Sequence, residues 1–227
     1  MAMVETRPPI DRSTVERIVR EIVQQRLNGA GAVATTPELR ANISARHMHI
    51  SPEHLEALFG AGAKLTVMRE LYQTGEFGSE QTVTIIGPRH RMIPNFRILG
   101  PCRTATQIEL AFTDAIALGI DAPVRMSGDH RDTPGCIVLG PKGHIVLDQG
   151  VVRAQRHVHM NPAEAAHYGV KKGDLMDLVV HHRTCGLTLH GVVARIGEKL
   201  KLEVHIDTDE GNACDLPHAT SVELRKP

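Results

Sequence analysis

The chain has 227 residues, a formal net charge of zero and only 3% aromatic residues. It lacks the dense basic block and the aromatic platforms that are typical of nucleic-acid-binding proteins. No apolar run approaches the length of a transmembrane helix, and the N-terminus lacks the apolar core of a secretory signal. We therefore expect a soluble intracellular protein that binds neither nucleic acid nor membranes. Its four cysteines form no C-x-x-C pair and are expected to be reduced.

Residues 1–40 differ in pattern from the rest of the chain. Ser13 and Glu16 have the spacing of a capping box, and apolar residues then recur at helical spacing from Val15 to Leu27. The small residues that follow Asn28 are typical of a flexible linker. This pattern predicts an amphipathic helix on a tether. Its apolar face needs a surface to cover it, either the body of the protein or a partner.

From residue 42 onward the pattern is mainly β, with short strands separated by Gly and Pro. We predict strands over residues 43–50, 64–68, 82–86, 92–99, 106–112, 135–139, 144–147, 151–159, 175–181, 188–196, 201–206 and 221–224. Short helices are predicted at 52–59 and 162–168, and one helical turn at 114–118. Many short strands of this kind favour barrels or sandwiches.

One motif occurs twice, beginning at Arg46 and again at Arg156, and reads Arg-His-x-His-apolar-small/polar-Pro in both places. The residue before each proline, Ser51 or Asn161, suits a helix N-cap. Each copy therefore predicts a strand that runs directly into a short helix. The duplication predicts two related β-barrel domains with short capping helices, at about 41–125 and 126–227. The 151–159 segment can belong to either domain.

The His-x-His pairs are candidate metal ligands. Alternate side chains of a strand share one face, so His47 and His49 point the same way, as do His157 and His159. Imidazole is a common ligand for zinc. A single such pair often consists of exposed surface residues without a function, but its repetition within a longer matched motif favours a metal site.

Each pair needs a third ligand to form a catalytic site that keeps coordination positions open. We choose His205 for the second pair, because the 202–206 segment is strand-like and puts His205 and Glu203 on one face. We choose Glu109 for the first pair, because an alternating strand would bury its apolar neighbours and turn Glu109 to the other face. The alternative for Glu109 is an ordinary solvated carboxylate. Weaker candidates are His90, His181 and His182.

Two Gly-Pro turns each present an arginine, at Arg89 and Arg103. The planar guanidinium suits phosphate oxygens. An arginine beside a metal is what a phosphoryl or acyl-phosphate substrate would require.

Four segments taken in order, residues 46–51, 100–109, 156–162 and 205–213, resemble the phosphate propanoyltransferase family, the PduL-type phosphotransacylases of bacterial microcompartments. The resemblance extends from about residue 42 to 224. It departs from the family pattern at 210–213, where this chain has Glu-Gly-Asn-Ala instead of Glu-Ala-Asn-Ala. The N-terminal helix and linker are similar to encapsulation peptides.

The resemblance implies two zinc ions per subunit between two β-barrel domains. One would be held by His47, His49 and Glu109, and the other by His157, His159 and His205, with Arg103 binding phosphate. It implies that coenzyme A is a substrate contacted by Ser44, Arg69, Arg97, Leu99, His205 and Asn212. It further implies a homo-oligomer in the microcompartment lumen, within the cytoplasm, that meets shell or cargo proteins through residues 13–27.

The implied reaction interconverts a short acyl-CoA and phosphate with an acyl phosphate and CoA. Direct attack is expected, because the sequence places no serine or cysteine beside an evident base. Two alternatives remain open. One is a two-metal hydrolase acting on a thioester or a phosphorylated substrate, and the other is a non-catalytic microcompartment scaffold with structural zinc.

Overall fold

The structure, a computed structural model, describes residues 37–227 together with Glu16, Val19 and Arg20. These three residues are helical and exposed, at positions where the sequence predicts a helix. The other residues of the predicted helix, and most of the predicted linker, lie outside the described residues. A compact unit spans Glu38–Pro227. No helix among the described residues has the length and apolar character needed to cross a bilayer.

Within residues 37–227 the strands are β1 (Arg40–Ser44), β2 (His47–His49), β3 (Val67–Glu70), β4 (Phe77–Ile86), β5 (Met92–Gly100), β6 (Gln107–Glu109), β7 (Val124–Arg125), β8 (Cys136–Leu139), β9 (His144–Leu147), β10 (Val151–Ala154), β11 (His157–Met160), β12 (Leu175–His181), β13 (Leu187–Ile196), β14 (Glu203–Asp207) and β15 (Ser221–Arg225). The helices are α1 (Pro52–Phe59), α2 (Phe112–Leu118), α3 (Pro162–Tyr168), α4 (Thr208–Ala213) and a 3₁₀ turn at Leu216–His218.

The mainly β fold is confirmed, and α1 and α3 have the predicted bounds. Ser51 and Asn161 accept hydrogen bonds from backbone N–H groups of the first helical turn, as N-caps do. Three predicted strands were too long: 43–50 and 151–159 are each two strands, and 106–112 ends at Glu109. Helix α4 was not predicted, although Asp207 and Glu210 form a capping box whose spacing is visible in the sequence.

The strands form two curled half-barrel sheets. The larger has nine strands in the order β7-β10-β6-β2-β5-β4-β8-β9, with β3 paired to β4. The smaller has six strands in the order β1-β14-β11-β13-β12-β15. Each sheet covers its own cluster of buried apolar side chains, around Met48 and Ile98 in the first and around Val158 and Val204 in the second. Each half of the molecule therefore has its own hydrophobic core.

Strands that follow one another along the chain do not always belong to the same sheet. Strand β1 pairs in parallel with β14 of the smaller sheet, whereas β8, β9 and β10 join the larger sheet. The predicted strand at 151–159 breaks at Gln155 and Arg156, and its two parts enter different sheets. The sheets are therefore not coextensive with residues 41–125 and 126–227, and the division into two domains at that boundary stays a prediction.

Candidate active site

The repeated motif occupies the same position in both sheets. Strand β2 lies between parallel β5 and antiparallel β6, and β11 lies between parallel β13 and antiparallel β14. Each motif strand then enters a short helix that starts at a proline, α1 or α3. The sequence repeat is therefore also a structural repeat.

The first cluster forms across the β2–β6 pair, where the register places His47 opposite Glu109. His47 Nε2 lies 3.2 Å from His49 Nε2 and 3.5 Å from Glu109 Oε2. His49 Nε2 lies 3.8 Å from Glu109 Oε1. All three side chains are buried, with residue exposures of 5–7%. Glu109 is therefore not a solvated carboxylate.

The second cluster forms across the β11–β14 pair, where His157 lies opposite His205. The three imidazole rings, including that of His159, have centroids 4.8–5.0 Å apart. One nitrogen from each ring lies within 4.8 Å of the others. The third ligands predicted from the sequence are thus brought to their histidine pairs in both halves.

The first histidine of each pair is held in the same way. His47 Nδ1 lies 2.8 Å from the carbonyl oxygen of Ala45, and His157 Nδ1 lies 2.8 Å from that of Gln155. A carbonyl oxygen only accepts, so Nδ1 donates in both rings and Nε2 is the nitrogen left available to a metal. Such backbone contacts commonly orient metal-binding histidines.

Burial keeps His49, His157 and His159 neutral. It is the main reason that the pKa of His49 and that of His159 fall from 6.5 to about 2, and that the pKa of His157 falls to about 4. Neighbouring imidazoles and arginines lower these pKa values further. The rings therefore present lone pairs, the form that binds metals.

The donor set of the two clusters fits zinc. Tetrahedral zinc with bonds of about 2.0–2.1 Å to nitrogen separates its ligand atoms by about 3.3 Å. The Nε2 atoms of His47 and His49 lie 3.2 Å apart. Among the described residues, the buried side-chain nitrogens without a hydrogen-bond partner all belong to these clusters: His49 Nδ1, His159 Nδ1 and His205 Nε2. Three protein ligands per cluster would leave positions open, as catalytic zinc sites do.

His205 has two polar neighbours, Ser44 and Glu203. Ser44 Oγ lies 3.1 Å from its Nδ1, and Glu203 Oε2 lies 3.0 Å from its Nε2 without the alignment of a hydrogen bond. Glu203 is buried and accepts a hydrogen bond of 2.9 Å from Gln73. The expectation that no serine stands beside a base is therefore wrong, because the pairing of β1 with β14 brings Ser44 to His205.

One cavity of ≈ 290 Å³ is lined by both clusters and by Arg103. Arg103 Nη1 donates to Ser127 Oγ at 2.9 Å, and its Nη2 lies 3.6 Å from Glu76 Oε1. Its positive charge contributes to the low pKa of both His49 and His159, so it acts on both clusters. Arg89 of the other Gly-Pro turn instead donates to the carbonyl oxygen of Ile116 and does not line the cavity.

Most of the residues expected at coenzyme A also line this cavity: Ser44, Arg69, Arg97, Leu99 and His205. Asn212 does not, and it is exposed on α4. His90, His181 and His182 also lie outside the cavity. The cavity lining also includes Gln73, Ser127 and Arg195, which the sequence analysis missed, and Glu203, which it placed on one strand face with His205. The spacing Glu203-x-His205 was a usable signal, whereas Arg195 is placed beside His159 only by strand pairing.

A sequence model described as phosphate propanoyltransferase matches residues 40–217. The chain belongs to the phosphate propanoyltransferase family. Relatives of that name include proteins from Planctopirus limnophila, 58% identical over 96% of this chain and 93% of the relative, and from Thermotoga maritima, 46% identical over 79% and 85%. A third, from Salmonella typhimurium, is 38% identical over 92% and 93%. Family membership makes the protein an enzyme, an acyltransferase of the phosphotransacylase type, and it argues against the non-catalytic scaffold.

Proposed function

We propose that the protein is a zinc-dependent phosphotransacylase that interconverts a short acyl-CoA and phosphate with an acyl phosphate and CoA. Propanoyl and acetyl groups are the expected acyl chains. The observation that carries the proposal is the cavity in which two three-ligand clusters and Arg103 meet. The names of the relatives supply the acyl and phosphoryl partners.

The protein side of the reaction follows from the charges around the cavity. Arg103 would bind phosphate through its guanidinium and hold one oxygen toward the thioester carbonyl carbon. The new C–O bond forms as the C–S bond breaks, and CoA leaves as a thiolate. Arg69 and Arg97, on strands β3 and β5, provide positive charge for the phosphates of coenzyme A. Coenzyme A would also contact Ser44, Leu99 and His205.

His47, His49 and Glu109 would hold one zinc ion, and His157, His159 and His205 would hold the other. Bound zinc lowers the pKa of a thiol or water and polarises a carbonyl oxygen. His205 would have to give up its contact with either Ser44 or Glu203 to offer a lone pair. The role expected of Asn212 in binding coenzyme A has no support from its place on α4 and would require the long ligand to extend beyond the cavity.

The decisive assay is CoA release from propanoyl-CoA by the purified protein, with and without phosphate, before and after chelation. The proposal predicts release that requires phosphate and that chelation abolishes. Release that does not require phosphate would instead establish a thioester hydrolase. Zinc content is measured on the same samples, and two ions per subunit are expected.

Direct attack has one specific competitor, because Ser44 Oγ lies beside His205. If the transfer passed through an acyl-Ser44 intermediate, that intermediate would accumulate when phosphate is withheld. We expect no acylated protein by mass spectrometry after incubation with propanoyl-CoA alone, and a loss of less than tenfold in kcat for Ser44→Ala. An adduct on Ser44 that phosphate discharges would replace direct attack with a two-step transfer.

The N-terminal segment is proposed to direct the enzyme, as a homo-oligomer, into a bacterial microcompartment through residues 13–27. The support is the helical pattern with one apolar face, together with the start of the compact unit at Glu38. A truncation should remove residues 1–36, since β1 begins at Arg40. We expect full activity but reduced co-purification with shell or cargo proteins and reduced self-association. Lost activity in the folded truncation would contradict this proposal.

A further inference from the structure

Gln107 lies two residues before Glu109 on β6, and it is only 2% exposed. Its Nε2 donates to Glu109 Oε1 at 2.6 Å and to Ser127 Oγ at 3.1 Å. Its Oε1 accepts from the backbone N–H of Gly128 at 2.7 Å and has His130 Nε2 at 2.9 Å. Both donor hydrogens and both acceptor positions of the amide are therefore occupied.

These contacts continue beyond Gln107. Ser127 Oγ, which accepts from Gln107, also accepts from Arg103 Nη1 at 2.9 Å. A hydrogen-bonded series therefore joins Glu109 to Arg103 through Gln107 and Ser127. It connects one ligand of the first cluster with the side chain assigned to phosphate.

The amide is the group that this position requires. An ionised Glu109 can only accept, so the group beside its Oε1 must donate. The same side chain must accept from the Gly128 N–H, which a lysine or arginine could not do. A glutamate at position 107 would place two carboxylates in contact, and a methionine of similar length would leave the Gly128 N–H unsatisfied. With Oε1 held by Gln107, Glu109 turns Oε2 toward His47, 3.5 Å away.

We propose that Gln107 is a positioning residue that fixes the Glu109 carboxylate for zinc and, through Ser127, fixes Arg103 for phosphate. This inference rests on the proposed zinc-dependent transfer and names a residue outside the ligand set. Residues that orient metal ligands commonly contribute 10–100-fold to metal affinity or activity.

The test compares Gln107→Met, Ser127→Ala and their double variant in the full-length protein, with Gln81→Met as the control. Gln81 contacts Thr66 and the Lys64 carbonyl away from the cavity. Zinc binding is measured by competition with a chromogenic chelator, and KM for phosphate is measured separately from kcat. Gln107→Met should weaken one of the two zinc sites about 10–100-fold and also raise KM for phosphate.

Ser127→Ala should raise KM for phosphate and leave both zinc affinities unchanged, because it removes the hydrogen bonds that Ser127 accepts from Gln107 and Arg103 but keeps the bond from Gln107 to Glu109. The double variant should raise KM no further than Gln107→Met does. Wild-type zinc affinities and KM in folded Gln107→Met would overturn the inference. If Gln107→Met does not fold, an unchanged KM in Ser127→Ala would overturn the link to Arg103. A wild-type protein with activity but no zinc would instead overturn the proposed function.

Discussion

The two proposed metal-ligand clusters share a backbone frame but differ in the charge of their side chains. Each uses a His-x-His strand and a third ligand placed opposite the first histidine, on an antiparallel neighbour. That third ligand is Glu109 in the first cluster and His205 in the second. As metal ligands, a carboxylate would bring one negative charge to the first set, whereas three imidazoles would bring none to the second.

The surroundings of the second cluster add charge of both signs, because Arg195 is nearby and Glu203 Oε2 lies 3.0 Å from His205 Nε2. Arg195 lies opposite His159 in the strand register and contributes to the low pKa of both His157 and His159. From the ligand sets alone, a divalent ion would keep more positive charge in the second cluster than beside Glu109. We therefore expect phosphate to lie nearer the second cluster and the CoA sulfur nearer the first, with Arg103 acting on both.

The largest expected effect comes from removing one ligand of each cluster. His49→Ala and His159→Ala should each lose one zinc ion and lower kcat/KM on the order of 10³-fold, since a metal ion supplies several kcal/mol of transition-state stabilisation. Zinc content by mass spectrometry checks the loss. If either variant loses both ions, the two clusters are not independent sites.

Removing the Arg103 guanidinium, which acts on both clusters, should have the next largest effect on kcat/KM. Arg103→Ala should lower kcat/KM with phosphate about 10²–10³-fold, as expected for the loss of a group that stabilises developing charge. Arg89→Ala is the matched control from the other Gly-Pro turn and should retain wild-type kinetics. Equal losses in both variants would contradict the assignment of phosphate to Arg103.

The metal-free protein should lose stability in mild acid. The pKa values of His49, His157 and His159 lie below 6.5 in the folded state, so only the unfolded chain takes up these protons as the pH falls from 6.5 to about 4. Each such histidine lowers the free energy of unfolding by up to about 1.4 kcal/mol per pH unit. Urea unfolding of the chelated protein at several pH values measures this slope.

The second cluster contributes two of these three histidines. Replacing both His157 and His159 by glutamine should therefore remove most of the slope, whereas His49→Gln should remove less. A larger loss of the pH slope in His49→Gln than in the double variant would contradict this prediction.

The smallest effect concerns the arginine that begins each motif. Arg46 Nη1 lies 2.6 Å from Asp114 Oδ1 of α2, and Arg156 Nε donates to Glu210 Oε1 of α4 at 2.7 Å. Both arginines thus tie a motif strand to the helix that follows the third ligand. The Arg46 side chain is 48% exposed and that of Arg156 is 30% exposed.

Solvent screens the more exposed pair. Arg46→Ala should lower the free energy of unfolding by about 0–1 kcal/mol, and Arg156→Ala by about 1–2 kcal/mol. Urea unfolding checks both, and the difference should persist in high salt, because salt screens the more exposed Arg46 pair more strongly than the Arg156 pair. An equal or larger effect at Arg46 would show that burial does not set the contribution of these pairs.

The sequence predicted structure correctly where the physical cause acts between residues that are close together in the chain. Alternation along a strand placed both imidazoles of each pair on one face, and Ser51 and Asn161 started their helices because a cap and a proline act within one turn. The repeat itself predicted that the same arrangement would occur twice. The mainly β fold and the family were also predicted correctly.

Contacts between distant segments were decided by strand pairing. The sequence gives no signal that residues 151–159 split between two sheets, or that β1 crosses to the smaller sheet and brings Ser44 to His205. The sites of Arg195 and Gln73 depend on the same pairings and on burial. Sequence alone determined which side chains could bind a metal or an anion. Only the tertiary structure decided which of them meet, because register and burial depend on pairing between segments that are not neighbours in the chain.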